Sequence, residues 1–100
     1  MCGIALCYSN KLNHQNTVHQ IIKKIRHRGP DDENYLYLKN FSLGSCRLSI
    51  FDLSKEGGMP MIDTQGRYTI IYNGEIYNFK ELKKKFNLKT RTNTDTEVLL

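Results

Sequence analysis

A cysteine lies at the second position of the chain, directly after Met1. If Met1 is removed, the thiol and the free α-amine of Cys2 belong to the same residue. An α-amine has a pKa of about 8, so it can accept the thiol proton near neutral pH without help from a histidine. The alternative is that Cys2 is a small residue at the start of a buried strand, since free cysteines are often simply buried.

The composition predicts one small globular domain. Of the 100 residues, 39% are hydrophobic and 25% charged, which is ordinary for a folded protein. No apolar run is long enough to cross a membrane, and the N-terminus lacks the features of a secretory signal. Three cysteines without a CxxC pair predict neither a zinc site nor a disulfide framework. We therefore expect a cytoplasmic protein with no metal site and no membrane partner.

The net charge of +5 raises the question of nucleic-acid binding. Lysines and arginines concentrate at 23–28 and 80–89. No recognisable nucleic-acid-binding motif accompanies them, and the aromatic residues do not form a stacking platform. We expect these cations to occupy the solvated faces of helices and predict no nucleic-acid partner. A small basic nucleic-acid-binding module is the least favoured alternative.

The first elements that must position Cys2 are a strand and a helix. Residues 3–8 form an apolar run without alternation, which predicts a strand buried on both faces. Thr17 and Gln20 match a capping box. A stripe of apolar residues at helical spacing begins directly after Thr17 and predicts a helix. Gly29 and Pro30 end this helix. The stripe consists of Val18, Ile21, Ile22 and Ile25.

The remainder of the chain predicts a hairpin followed by irregular chain and short helices. Residues 35–38 and 41–48 have the composition of two strands around a turn. Residues 52–66 are irregular, and 68–72 form a short β-rich run. Asn78 with Glu81, and Thr94 with Glu97, match helix-capping patterns. This order of elements predicts an α+β protein.

Five stretches together resemble one known family. In order and spacing they are similar to the glutamine amidotransferase domain of asparagine synthase, the class II type with an N-terminal cysteine. That resemblance implies the αββα sandwich of N-terminal nucleophile hydrolases, with 1–100 forming only the first half of the domain. The stretches are Met1-Cys2-Gly3-Ile4, His27-Arg28-Gly29-Pro30-Asp31, Arg47-Leu48-Ser49-Ile50, Tyr72-Asn73-Gly74-Glu75-Ile76-Tyr77-Asn78 and Thr94-Asp95-Thr96-Glu97-Val98.

The resemblance implies that glutamine is hydrolysed to glutamate and ammonia. Cys2 would be the nucleophile, while Asn73 and Gly74 would form the oxyanion hole. Arg47 would hold the substrate carboxylate and Asp95 its ammonium group. The other members of the implied glutamine site are Leu48, Ser49, Ile50, Phe51 and Glu75. The plainer readings are an Asn-Gly turn, a surface arginine and an acid in the first turn of a helix.

The resemblance also implies partners outside these 100 residues. Ammonia would pass to a synthetase domain or subunit that makes asparagine from aspartate. ATP and Mg²⁺ would belong to that part, with no cofactor in this segment, and the full-length protein could form a homodimer. The chain departs from the family at two places and so leaves a sugar acceptor open. Ser45 stands where the family usually has the histidine of a Gly-His-x-Arg pattern, and Met59 precedes Pro60 where the family usually has glutamine. The remaining alternative is an inactive fragment of an asparagine synthase-like protein.

Overall fold

A computed structural model describes residues 2–11, 13–49 and 55–100 of the protein. The elements confirm the α+β class that the sequence predicts. Two of the predicted site residues, Ile50 and Phe51, lie outside the described residues. The helices and strands are β1 (Gly3–Tyr8), α1 (His14–Ile25), β2 (Asp32–Tyr37), β3 (Phe41–Arg47), β4 (Met61–Ile62), β5 (Thr69–Ile70), α2 (Phe79–Lys85) and α3 (Asp95–Leu99).

The predicted hairpin is confirmed as part of a three-stranded antiparallel sheet. The strand order is β1-β3-β2, so β3 is the central strand. The Leu38 N–H donates to the Phe41 carbonyl across the turn at 2.8 Å. The register pairs Cys46 with Gly3 on one side, and Arg47 with Asp32 on the other. The N-terminus of β1, the C-terminus of β3 and the start of β2 therefore lie at one end of the sheet.

Helix α1 begins three residues before Thr17, the first residue of the predicted capping box, so that prediction is wrong. Its N-cap is Asn13, whose side-chain oxygen accepts from the Asn16 N–H at 3.1 Å. The Thr17 hydroxyl instead donates to the Asn13 carbonyl inside the first turn. Asparagine is among the most favoured N-cap residues, so Asn13 caps the helix and Thr17 lies inside its first turn. The α-helix passes into a 3₁₀ turn, Arg26–Arg28, and ends at Gly29 as the sequence predicts.

The core lies between α1 and one face of the sheet. Val18 and Ile22 are completely buried, and they pack against Ala5 and Cys46. Ile21, which belongs to the same predicted stripe, remains 37% exposed because it lies at the edge of the contact. Burial of a large aliphatic side chain contributes roughly 1.5–3 kcal/mol, so this small cluster is the main apolar anchor of the helix.

In the described part of the chain the opposite face of the sheet is exposed along β1, so the prediction that β1 is buried on both faces is wrong. Ile4, Leu6 and Tyr8 are 37%, 56% and 56% exposed. In the part of the chain that is described, α1 covers one face, and the segment around Met59 reaches only one end of the other. The contact there is a hydrogen bond from the Ser45 hydroxyl to the Met59 carbonyl. The unbroken apolar pattern of β1 thus reflects two apolar faces of which only one is covered.

The second half of the chain contains little regular structure. Strands β4 and β5 pair over two residues each, so β5 is shorter than the predicted run 68–72. A turn at 63–66 precedes β5, and the bond from the Gly66 N–H to the Asp63 carbonyl closes it. Helix α2 forms without a side-chain cap from Asn78, contrary to the capping prediction. None of the helices in the described ranges is long and apolar enough to cross a membrane.

The core cluster predicts unequal effects of two neighbouring isoleucines. We expect Ile22→Ala to lower the free energy of unfolding by about 2–5 kcal/mol, because it opens a cavity between α1 and the sheet. Ile21→Ala is the matched control and should cost clearly less. Urea unfolding of both variants measures the difference. Equal losses would contradict the assignment of Ile22 to the core.

Candidate functional site

A cavity of about 460 Å³ lies at the end of the sheet where β1 begins and β3 ends. Seven of the ten predicted site residues line it, although they come from four separate stretches of the chain. These seven are Cys2, Arg47, Leu48, Asn73, Gly74, Glu75 and Asp95. Residues that the sequence reasoning did not select complete the wall, namely Gly57, Met59, Tyr72, Tyr77, Thr94 and Thr96.

The register of the sheet brings Cys2 close to Arg47. Gly3, the first residue of β1, is paired with Cys46 in an antiparallel ladder. Cys2, which precedes Gly3, therefore lies beside Arg47, the last residue of β3. Arg47 is buried, and its backbone is also fixed from the other side. There its carbonyl accepts from the Asp31 N–H at 3.0 Å, next to the bridge with Pro30.

The turn after α1 supports Cys2 through a contact that the sequence did not indicate. The Arg28 Nε donates to the Cys2 carbonyl at 3.3 Å. Gly29 lets this turn approach the sheet, since a Cβ there would lie 2.5 Å from the Arg47 nitrogen and from the Cys46 carbonyl. No side chain fits such a gap. The turn after α1 therefore lies beside the site, and its Arg28 holds the backbone of Cys2.

Asn73 and Gly74 form an exposed corner of the cavity rather than part of a strand. The phenol ring of Tyr72 folds back over Gly74. A Cβ on Gly74 would lie 2.5 Å from the Tyr72 Oη. Glycine at this position therefore leaves room for the aromatic ring on one side and keeps the backbone accessible from the cavity.

Asp95 joins the start of α3 to the segment that follows Gly74. Its Oδ2 accepts a hydrogen bond from the Ile76 N–H at 2.8 Å. The helix itself is capped by Thr94, whose hydroxyl accepts from the Glu97 N–H at 3.3 Å, as the capping pattern predicts. Asp95 is thus a first-turn acid, as the plainer reading proposed, and also a cavity-lining carboxylate.

Glu97 anchors the loop that leads into α3. Its carboxylate accepts from the N–H groups of Arg91 and Thr92 at 2.9 and 2.7 Å, and from the Thr92 hydroxyl at 2.6 Å. The Arg91 guanidinium adds an ion pair at 3.1 Å. Burial by itself raises the pKa of Glu97, but these hydrogen bonds outweigh it, and the pKa lies below its usual value of 4.5. The charged carboxylate therefore stabilises the position of α3.

The charged residues of the cavity carry both signs. Arg47 contributes a guanidinium, while Glu75 and Asp95 contribute carboxylates. A free amino acid carries a carboxylate and an ammonium group, so these charges are complementary to its two ends. Across the described ranges, no three histidine, cysteine, aspartate or glutamate residues cluster as a metal site.

Of the predicted residues that the structure describes, Ser49 is the one that does not line the cavity. Ser49 uses its N–H to bind the Asp31 Oδ2 at 2.8 Å. Ile50 and Phe51 are outside the described part of the chain. Among the residues that were missed, Tyr72 and Tyr77 lie inside a stretch already singled out, whereas Met59 lies in the irregular segment and was noted only as a departure from the family pattern.

Comparison with known proteins identifies the family. All 100 residues match the glutamine amidotransferase domain. The chain is 44% identical over 119 aligned positions to the "Putative asparagine synthetase (glutamine-hydrolyzing) 2" of Methanocaldococcus jannaschii, and 36% identical over 108 to asparagine synthetase (glutamine-hydrolyzing) 1 of Bacillus subtilis. It is also 38% identical over 80 positions to the amidase chry2 of Gibberella zeae.

The chain belongs to the glutamine amidotransferase domain family, which confirms the resemblance seen in its motifs. The first two relatives align with the whole chain, whereas the third aligns with 76% of it. The chain spans 23%, 17% and 12% of the lengths of these three proteins.

The hydrogen bonds of Glu97 predict a pH-dependent contribution to stability. A carboxyl whose pKa is lowered by folding stabilises the protein fully above pH 4.5 and progressively less as the pH falls through its folded-state pKa. We expect Glu97→Gln to cost about 1.5–3 kcal/mol at pH 7 and much less at pH 3. Denaturant unfolding at the two pH values measures this change.

The matched control is Glu81→Gln, which alters an exposed acid in the first turn of α2. It should change stability by no more than about 0.5 kcal/mol at neutral pH. If Glu97→Gln costs the same at pH 3 as at pH 7, the charge of Glu97 does not carry the effect.

Proposed function

We propose that this cavity hydrolyses the side-chain amide of L-glutamine to glutamate and ammonia. The observation that carries the proposal is the convergence of Cys2, Asn73-Gly74, Arg47 and Asp95 on one cavity. They include a nucleophile, candidate donors for an oxyanion, and charges for both ends of an amino acid. Membership of the glutamine amidotransferase domain family supports the same reaction.

In the proposed first step, the Cys2 thiol attacks the amide carbon of glutamine. With Met1 removed, the α-amine of Cys2 accepts the thiol proton, either directly or through a water. A carbon–sulfur bond forms, and the carbonyl oxygen becomes an oxyanion. The side-chain NH₂ of Asn73 and the N–H of Gly74 donate to that oxygen. Loss of one such donor typically raises a barrier by about 2.7–4 kcal/mol.

The proposed second half of the reaction releases both products. The protonated amine returns its proton to the leaving nitrogen, the carbon–nitrogen bond breaks, and ammonia departs from a glutamyl thioester. Water then attacks the thioester with the amine as base. The carbon–sulfur bond breaks, glutamate forms and the thiol is restored, so that no oxidant or cofactor is consumed.

Substrate binding in this proposal depends on the charged residues that line the cavity. Arg47 holds the α-carboxylate through two parallel hydrogen bonds. The carboxylates of Asp95 and Glu75 accept hydrogen bonds from the α-ammonium group. Asp95 can do this while one of its oxygens also receives the Ile76 N–H, since a carboxylate offers about four acceptor positions. Of the other predicted residues, Leu48 lines the cavity, and Ile50 and Phe51 remain proposed members of its wall.

We also propose that residues 1–100 are the first half of an N-terminal nucleophile hydrolase sandwich. The open sheet face supports this, since Ile4, Leu6, Tyr8 and Phe41 would otherwise leave an apolar patch in water. A second sheet packed on that face would bury the patch at the usual spacing of about 10 Å. The chain spans only 23% and 17% of the lengths of the two asparagine synthetases, so residues outside 1–100 would supply this second sheet.

The proposed destination of the ammonia is an ATP-dependent synthetase that converts aspartate to asparagine in the cytoplasm. The names of the relatives from Methanocaldococcus jannaschii and Bacillus subtilis support this acceptor. The synthetase, with its ATP and Mg²⁺, would lie outside these 100 residues. The amidase from Gibberella zeae shows that similar sequence also occurs in a protein with a different name, so a different acceptor is the second candidate.

Replacement of the proposed nucleophile provides the most direct test. In the full-length protein, Cys2→Ala should lower glutaminase activity by at least about 10³-fold, because no thiol remains to form the thioester. Cys7→Ala is the matched control, since Cys7 is a half-buried cysteine on β1 that does not line the cavity. Release of glutamate from glutamine measures both variants.

Two results would contradict the proposal. Retention of activity in Cys2→Ala would remove the proposed nucleophile. An active protein whose intact mass includes Met1 would exclude the α-amine of Cys2 as the base.

Substitution of the proposed carboxylate clamp should affect binding more than chemistry. Lysine cannot make the two parallel hydrogen bonds of a guanidinium, so Arg47→Lys should raise KM for glutamine roughly 10- to 100-fold with kcat little changed. Steady-state kinetics measure this, and the unfolding midpoint checks that the buried site remains folded. The control is Arg26→Lys, whose exposed side chain pairs with Glu33. A fall in kcat at constant KM would contradict the clamp.

A further inference from the structure

Met59 separates the site cavity from a second cavity. Its side chain is buried to 5% exposure, and it lines both the first cavity and a neighbouring one of about 400 Å³. Its backbone is tied to the sheet, because its carbonyl accepts a hydrogen bond from the buried Ser45 hydroxyl of β3. Met59 is therefore a fixed part of the wall.

The sulfur of Met59 contacts the residue directly before the proposed oxyanion hole. The Tyr72 N–H donates to the Met59 Sδ at 3.1 Å. A thioether is a weak acceptor, yet residues 71–76 adopt neither helix nor strand and have no ladder to fix them. This contact is thus one of few restraints on the backbone that leads into Asn73.

Tyr72 transmits the restraint to Gly74 through its ring. Its Oη and ring atoms lie where a Cβ of Gly74 would be, at 2.5 to 2.9 Å, so the ring packs against the Gly74 backbone. Asn73 is therefore bracketed. Before it, the Tyr72 N–H is held by the Met59 sulfur. After it, the Gly74 backbone is covered by the ring of Tyr72.

We propose that Met59 is a positioning residue for the oxyanion hole and that it acts through Tyr72. The inference rests on the proposed glutaminase function and deepens it. Hydrogen-bond donors lower a barrier only when they are aligned before the charge develops. A wall side chain that fixes the backbone of Tyr72 therefore affects the chemical step without touching the substrate. Its removal should lower kcat and leave KM for glutamine nearly unchanged.

Three variants of the full-length protein test the inference. Met59→Leu removes the acceptor at nearly constant volume, and we expect kcat to fall about 3- to 10-fold with KM within about twofold of the parent. Met59→Gln supplies an amide oxygen at a similar reach and should recover most of the kcat that leucine loses. Met61→Leu is the matched control, because Met61 is equally buried but lines only the second cavity.

Amide hydrogen exchange at Tyr72 gives a readout that is independent of turnover. Exchange should accelerate in Met59→Leu, remain slow in Met61→Leu and slow again in Met59→Gln. An unchanged kcat in Met59→Leu, or equal losses of kcat in Met59→Leu and Met61→Leu, would overturn the inference.

The proposed function can fail separately. A parent protein without glutaminase activity would overturn both proposals. An active, Cys2-dependent parent whose kcat does not respond to Met59→Leu would overturn only the role of Met59.

Discussion

Antiparallel pairing on both sides of β3 is the constraint on which the rest of the structure depends. One edge of this strand aligns β1, so that Cys2 lies near Arg47 at the end of the sheet. The other edge aligns β2, which fixes the Arg47 backbone through Pro30 and Asp31. A slip of one residue would move every side chain of β3 to the opposite face. Both the core contact of Cys46 and the cavity position of Arg47 would then be lost.

The part of the cavity wall that follows Met59 in the chain is held by side-chain hydrogen bonds rather than by strand pairing. Regular structure is sparse after Met59, and single side chains bind backbone groups across the gaps. Asp95 holds the Ile76 N–H, Glu97 holds the loop before α3, and the Met59 sulfur holds the Tyr72 N–H. Each bond has a modest net value of about 0.5–1.5 kcal/mol, with charged acceptors higher. The position of Asn73-Gly74 therefore depends on several weak restraints acting together.

Local features were predictable where the interactions are local. The hairpin of β2 and β3, the stop at Gly29 and the Thr94 cap of α3 involve residues a few positions apart, and the sequence predicts all three. The start of α1 was missed because Asn13 competes with Thr17 as the cap. The burial of β1 was wrong because exposure of a sheet face depends on what packs there, which no pattern within the strand records.

By itself, the sequence determined the family and the residue types available for chemistry, because both are carried by short motifs whose order can be read directly. Only the tertiary structure decided that Cys2, Arg47, Asn73 and Asp95 share one cavity, since that depends on contacts between positions far apart in the chain. It also decided which further residues support the site. The motifs that contain Arg28 and Met59 do not indicate this supporting role, because their contacts with Cys2 and Tyr72 exist only once the sheet and its neighbouring segments have packed.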